Sequence, residues 1–304
     1  MSSNSELFQG SIVALVTPML VNGEIDETAF KNLIDWHISS GTNGLVIMGT
    51  TGESSLVSQQ EHIATVALAI THANKRIPII AGCGSAATAN AIELVKKLNP
   101  LQPDGYLCVT PYYVKPTQAG LIAHFLKVAD VCKAPLLLYN VPGRTACDLH
   151  NASVEILAKH PTIVGIKDAT GEVSRLNELK KLVGDNFCYL SGDDETAFEF
   201  IKAGGQGVIT VTGNVAPKQV SDWCRLVLSK DITDQALAKQ LFLQLAPLNN
   251  ALFVEANPIP VKWALFVMNK ISDQLRLPLT VAAVGSQDII QQALQKSAIS
   301  WTLE

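Results

Sequence analysis

Short apolar runs rich in Val, Ile and Leu alternate along this chain with longer stretches whose apolar side chains return every three to four residues. The first pattern suits strands buried on both faces, and the second suits helices that turn one stripe toward a core. Strands are predicted over 11–16, 44–48, 77–81, 105–109, 135–140, 162–167, 187–191 and 207–211. Helices are predicted between them, for example over 27–39, 59–73 and 87–97. Successive strands begin about 20 to 35 residues apart, the span of a βα unit. Eight such units in series predict an α/β fold of the (β/α)8 TIM-barrel type, because closure removes both exposed sheet edges; an open sheet is the alternative. Beyond Pro217 no further strand is predicted, and 234–248, 260–271 and 288–298 read as helices. That is more chain than one closing helix needs. The expected division is a barrel over 1–225 and a small C-terminal helical extension over 226–304, with no Gly/Ser-rich linker between them.

Composition narrows the partners. At 304 residues and 48% hydrophobic, the chain can bury one large core. Its net charge of -4, from 23 Lys plus Arg against 27 Asp plus Glu, leaves no basic stripe for nucleic acid or anionic lipid. No apolar run reaches the length of about 18 residues that a membrane span requires, and the first ten residues lack the pattern of a secretory signal. A cytoplasmic protein acting on small molecules is expected. The cysteines Cys83, Cys108, Cys132, Cys147, Cys188 and Cys224 stand singly, which suggests reduced, packed thiols. None stands in a recognisable arrangement with a histidine. The six histidines show no ligand spacing, so no metal is expected, and each reads as a surface or satisfied structural residue.

Barrels of this type gather their chemistry at the C-terminal ends of the strands, where the βα loops converge. Thr50 and Thr51 follow the second predicted strand, Tyr112 and Tyr113 the fourth; Tyr139 lies on the fifth and Lys167 ends the sixth. Lys167 closes an otherwise apolar run, Thr162-Ile163-Val164-Gly165-Ile166, where an ammonium group faces a desolvation cost. A neutral amine in such a place can attack a ketone and form an imine, which then acts as an electron sink. The competing reading is a lysine that reaches out of the mouth or pairs with Asp168.

Gly49-Thr50-Thr51-Gly52-Glu53 lies between a strand and a helix, where backbone N–H groups and hydroxyls can converge on a carboxylate or phosphate. An ordinary capped turn explains the same residues equally well. Tyr139 offers a phenol that can relay protons, and Arg144 a guanidinium that grips carboxylates. Taken singly they read as packing and surface charge; beside an imine-forming lysine they read as a site. Gly82-Cys83-Gly84-Ser85-Ala86-Ala87 matches a dinucleotide fingerprint in form, but Gln102 stands where an acidic residue would hold a ribose, so a turn is expected.

Six motifs occur in order: GTTGE at 49–53, TPYY at 110–113, YNVPGRT at 139–145, GIKDATG at 165–171, SGDD at 191–194 and NPIPVKWA at 257–264. On these the chain resembles the dihydrodipicolinate synthases, within the pyruvate-dependent lyases related to N-acetylneuraminate lyase. The resemblance implies that pyruvate condenses with Lys167 without a separate cofactor, and that the enamine attacks L-aspartate 4-semialdehyde to give 4-hydroxy-tetrahydrodipicolinate. It further implies a proton relay of Thr50, Tyr139 and Tyr113, with Tyr113 supplied by a neighbouring subunit of a homotetramer built as a dimer of dimers. Thr51 would hold the pyruvate carboxylate, Gly192 and Ile209 would line the pocket, and Arg144 would bind the semialdehyde carboxylate. Relatives with lysine feedback hold that effector at a subunit interface. There Ser54, His62 and Tyr112 match the pattern, while Ala86, Asn90 and Gln59 replace an asparagine, an acid and a histidine. A neutral amide cannot supply the charge an ammonium seeks, so weak or absent lysine inhibition is expected.

Two rivals stand beside this reading: a pyruvate aldolase acting on a 2-keto-3-deoxy sugar acid, and a barrel that has lost catalysis and serves as a scaffold. The Thr50–Thr51 pair and Arg144 favour the synthase over the first. The joint presence of Lys167, Tyr139, Thr50 and Arg144 speaks against the second.

Overall fold

A computed structural model describes residues 8–229 and 231–300. Eight parallel strands, β1 (Gly10–Ala14), β2 (Gly44–Ile47), β3 (Ile79–Gly82), β4 (Gly105–Val109), β5 (Leu136–Asn140), β6 (Ile163–Asp168), β7 (Cys188–Ser191) and β8 (Gly207–Thr210), close in sequence order, with β8 pairing back onto β1. All eight predicted strands are present, with ends displaced by no more than two residues. The open-sheet alternative is excluded by the β1–β8 ladder.

Each strand splits its side chains between two cores, as the two-residue period of a strand requires. Ile12, Val46, Ile80, Leu107, Leu137 and Leu190 fill the barrel. Val13, Leu45, Ile47, Tyr106, Leu138 and Tyr189 face the surrounding helices. Those helices begin where the sequence supplies caps. Asp26 accepts from Ala29 N at the start of Glu27–Ser39, and Ser58 with Glu61 forms a reciprocal capping box at the start of Gln59–Ala73.

Strand β6 breaks the period. Leu136 is level with Ile163 but Leu137 is level with Gly165, so Val164 is an extra residue, a bulge. Ile163 and Ile166 face the helices, while Val164 faces the barrel interior. Without the bulge, an inward Val164 would put the residue three places on at the outer face. With it, Lys167 is brought level with Tyr139 and Leu190, both of which point inward. Gly165 allows this, since a Cβ there would lie 2.6 Å from the Cys188 carbonyl oxygen and 2.8 Å from Leu137 Cδ2.

The eighth helix of the barrel runs from Pro217 to Val227, and the extension follows as Ile232–Gln244, Ala246–Ala251, Ile259–Val267 and Val284–Lys296. The helix expected over 234–248 is interrupted at Leu245, ahead of Pro247 in the first turn of the next helix. Among the described residues no helix is long and apolar enough to cross a membrane.

Candidate active site

Lys167 is buried at the C-terminal end of β6, and its Nζ lies 4.2 Å from the centroid of the Tyr139 ring on the neighbouring strand. The pairing with Asp168 that the sequence left open does not form. Asp168 Oδ1 accepts from the backbone N–H and hydroxyl of Thr170, and Oδ2 lies 3.4 Å from Arg175 Nε. Among the described residues no carboxylate lies within 4 Å of Lys167 Nζ. When this amine gives up a proton to attack a carbonyl, it therefore leaves no buried anion without its counter-ion. Burial at the strand end also excludes the reading of a side chain reaching out to solvent.

The 49–53 segment is a set of overlapping turns, with Gly52 N and Ser54 N donating to Gly49 O, and Glu53 N to Thr50 O. Among the described residues the backbone N–H groups of Thr50 and Thr51 have no partner, so both remain open to an anion. Thr51 is buried, and its Oγ1 accepts from Asn257 Nδ2 at 2.9 Å. With that lone pair occupied, the Thr51 hydroxyl hydrogen is free to donate to a carboxylate. Arg144, on the helical turn Pro142–Thr145, donates through Nη2 to the Asn257 carbonyl oxygen at 3.0 Å. Asn257 thus joins the two candidate carboxylate-binding residues, and its own Oδ1 is buried without a partner.

Gly192 lies against the stem of Lys167. A Cβ on Gly192 would lie 2.8 Å from Lys167 Cε and 3.0 Å from Cγ, so the absence of a side chain there makes room for the lysine stem. Ile209 belongs to the same interior cluster as Tyr139. Thr50 and Arg144 line a cavity of about 480 Å³, which meets that interior cluster at Val109 and Val141. The same cavity is lined by Ser54, Gln59, His62, Asn90 and Tyr112, gathering all but one of the residues singled out as a degenerate effector site. The exception is Ala86; its neighbour Ser85 faces the cavity instead. Tyr113 does not join Lys167 within one chain: it is 90% exposed and sits at a φ of 73°, in the left-handed region.

Several residues escaped the sequence reading. Lys262, fully buried, pairs with the equally buried Glu53 at 2.5 Å and donates to the Thr17 carbonyl oxygen at 3.0 Å. The only trace of this in the sequence was that both residues lie inside recognised motifs, GTTGE and NPIPVKWA. Asp194 caps the loop after β8, accepting from the backbone N–H groups of Val211 and Thr212, and burial pushes its carboxyl above the usual carboxylate range. One expectation is corrected: a cysteine does lie beside a histidine. Cys108 Sγ is 3.8 Å from His124 Nε2, whose Nδ1 meets Thr88 Oγ1 at 2.9 Å. The partners come from a strand and two helices separated in sequence, which no local spacing reveals. His37 is the exception among the histidines expected to be exposed or satisfied, being buried with Nε2 unpartnered.

Comparison with known proteins extends the geometry. The profile of the Dihydrodipicolinate synthetase family matches residues 7–297. A protein of Pseudoalteromonas atlantica named 4-hydroxy-tetrahydrodipicolinate synthase is 48% identical, over 96% of this chain and 99% of its own. One of the same name from Methylococcus capsulatus is 46% identical, over 96% of this chain and 100% of its own. A chloride inhibited dihydrodipicolinate synthase from Acinetobacter baumannii complexed with pyruvate superposes with a TM-score of 0.93 at 49% identity, covering 96% of this chain and 99% of that one.

Proposed function

The chain belongs to the dihydrodipicolinate synthetase family, and from that premise we propose that it condenses pyruvate with L-aspartate 4-semialdehyde through an imine on Lys167. The observation that carries the reading is a buried amine on an aromatic face, with no carboxylate partner among the described residues. Lys167 Nζ attacks the ketone carbon of pyruvate, and water leaves as the imine forms. Loss of a methyl proton gives an enamine whose terminal carbon attacks the semialdehyde carbonyl, with a proton delivered to the new alkoxide. The amino group of the second substrate then attacks the imine carbon, closing the ring and returning Lys167. The products are 4-hydroxy-tetrahydrodipicolinate and water.

In this scheme Thr51 and the adjoining N–H groups hold the pyruvate carboxylate, Arg144 holds that of the semialdehyde, and Gly192 and Ile209 shape the wall. Thr50 and Tyr139 pass protons with Tyr113 of a second copy, since hydroxyls both accept and donate. The working form is a homotetramer of two dimers, in the cytoplasm. The imine itself is the electron sink, so no metal or organic cofactor is needed. Lysine inhibition is weak, with an inhibition constant above about a millimolar, because the cavity offers the amides of Gln59 and Asn90 rather than an anion.

Borohydride reduction with pyruvate, followed by peptide mapping, tests the central step. A reduced pyruvyl adduct is expected on the peptide holding Lys167. An unmodified Lys167, in protein that still turns over the semialdehyde, would reject the mechanism.

A further inference from the structure

The C-terminal extension holds the 49–53 turn at more than one point, through Asn257, Lys262 and Arg276. Lys262, on the helix Ile259–Val267, reaches Glu53 Oε1 at 2.5 Å and the Thr17 carbonyl oxygen at 3.0 Å. The other carboxylate oxygen of Glu53 accepts from Arg276 N at 3.0 Å, and Thr17 Oγ1 donates to Gly52 O at 2.8 Å. Both members of the pair are shut off from solvent. Burial draws the Lys262 ammonium below the usual lysine range, and the Glu53 carboxylate opposes that shift.

Such a pair is a poor way to gain stability, because desolvating two charges offsets most of their attraction and apolar replacements often serve as well. What it supplies is a fixed geometry. Met48 and Glu53, which bracket the turn, both hold left-handed backbone, at φ of 56° and 59°. Non-glycine residues keep that conformation only where their surroundings impose it. Glu53 is imposed upon through its side chain, and Thr51 lies two residues away.

Resting on the pyruvate reading given above, we propose that Lys262 and Glu53 are positioning residues for pyruvate capture, holding the free N–H groups and hydroxyl of Thr50 and Thr51 in register with Lys167. Neither touches the substrate. Loosening the pair lets the cradle drift, and drifts of an ångström or so in a binding cradle cost about a hundredfold in rate. The defect falls chiefly on the half-reaction of pyruvate, because Glu53 belongs to the Thr50–Thr51 turn itself, whereas Arg144 lies on the turn Pro142–Thr145 and is tied to Thr51 only through Asn257.

The test uses the full chain carrying Lys262→Met, Glu53→Gln, or both, with Thr17→Val as a milder release of Gly52. The double variant leaves no unpaired buried charge, so its melting temperature is expected near that of the parent. Its kcat/KM for pyruvate is expected to fall about tenfold or more while that for the semialdehyde stays within about twofold. Half-saturating pyruvate for borohydride trapping at Lys167 should rise in parallel, and Thr17→Val should show the same trend more weakly. Parental pyruvate dependence in Thr17→Val and in any pair variant that folds would overturn the proposal. So would a loss shared equally by both substrates. Failure of the parent itself to trap pyruvate would instead refute the function on which the proposal rests.

Discussion

At the scale of single residues, the site depends on atoms that are missing as much as on those present. Gly192 is the clearest case, because the lysine stem occupies the space of its Cβ. Gly192→Ala is expected to leave the barrel folded and to reduce pyruvate trapping at Lys167 about a hundredfold, measured by borohydride labelling against pyruvate concentration. His37 shows the reverse problem, a polar atom with nowhere to go. Burial pushes it down to about 3, whereas the unfolded chain takes up that proton near the ordinary value of 6.5. Between those values the unfolded state binds more protons, so stability falls as pH drops through the window. His37→Leu should lose about 2 kcal/mol less than the parent between pH 7 and pH 4.5, as read by urea unfolding at the two values. Lys167 was legible in the sequence because an ammonium group at the end of an apolar strand needs a reason. Asn257 and Lys262 were not, because their partners Thr51 and Glu53 lie 206 and 209 residues away. A single amide or lysine in a helical region reads as surface until that contact is seen.

At the scale of elements, periodicity located every strand, and the helices predicted over 27–39 and 59–73 begin where the structure shows Asp26 and Ser58 capping them. The bulge in β6 was hidden, since Ile163-Val164-Gly165-Ile166 is apolar at each side-chain-bearing position and carries no mark of which face each one takes. Strands buried on both faces conceal their phase for this reason. Gly165 is the residue on which the phase change turns. Gly165→Ala should cost about 2 kcal/mol through overpacking against Cys188 and Leu137, measured by denaturant unfolding, and a neutral result would mean that the strand can shift there. The helix broken at Leu245 was predicted as continuous because the apolar spacing carries on through Pro247 while the backbone does not.

At the scale of the whole molecule, the proposed relay is short of a member within one chain. Tyr113 projects into solvent from a strained backbone, next to the exposed Tyr112 and Val114. In the proposed assembly a second copy supplies the missing phenol. Mixing inactive Tyr113→Ala with inactive Lys167→Ala should therefore restore part of the activity, because a shared site would draw its lysine from one partner and its tyrosine from the other. Continued inactivity of refolded mixtures would place Tyr113 in its own chain's site. The joint cavity of Thr50, Arg144, Gln59 and Asn90 was foreseeable only in pieces, since strand-end rules place each loop at the mouth but do not say which loops share a wall. The extra residue in β6 also sets a rule for anyone who would transplant this chemistry. A designer who copied the lysine onto a regular strand, counting alternate positions from the inward valine, would aim the amine at the helices and obtain an inert barrel. The graft has to carry the insertion and its glycine along with the nucleophile.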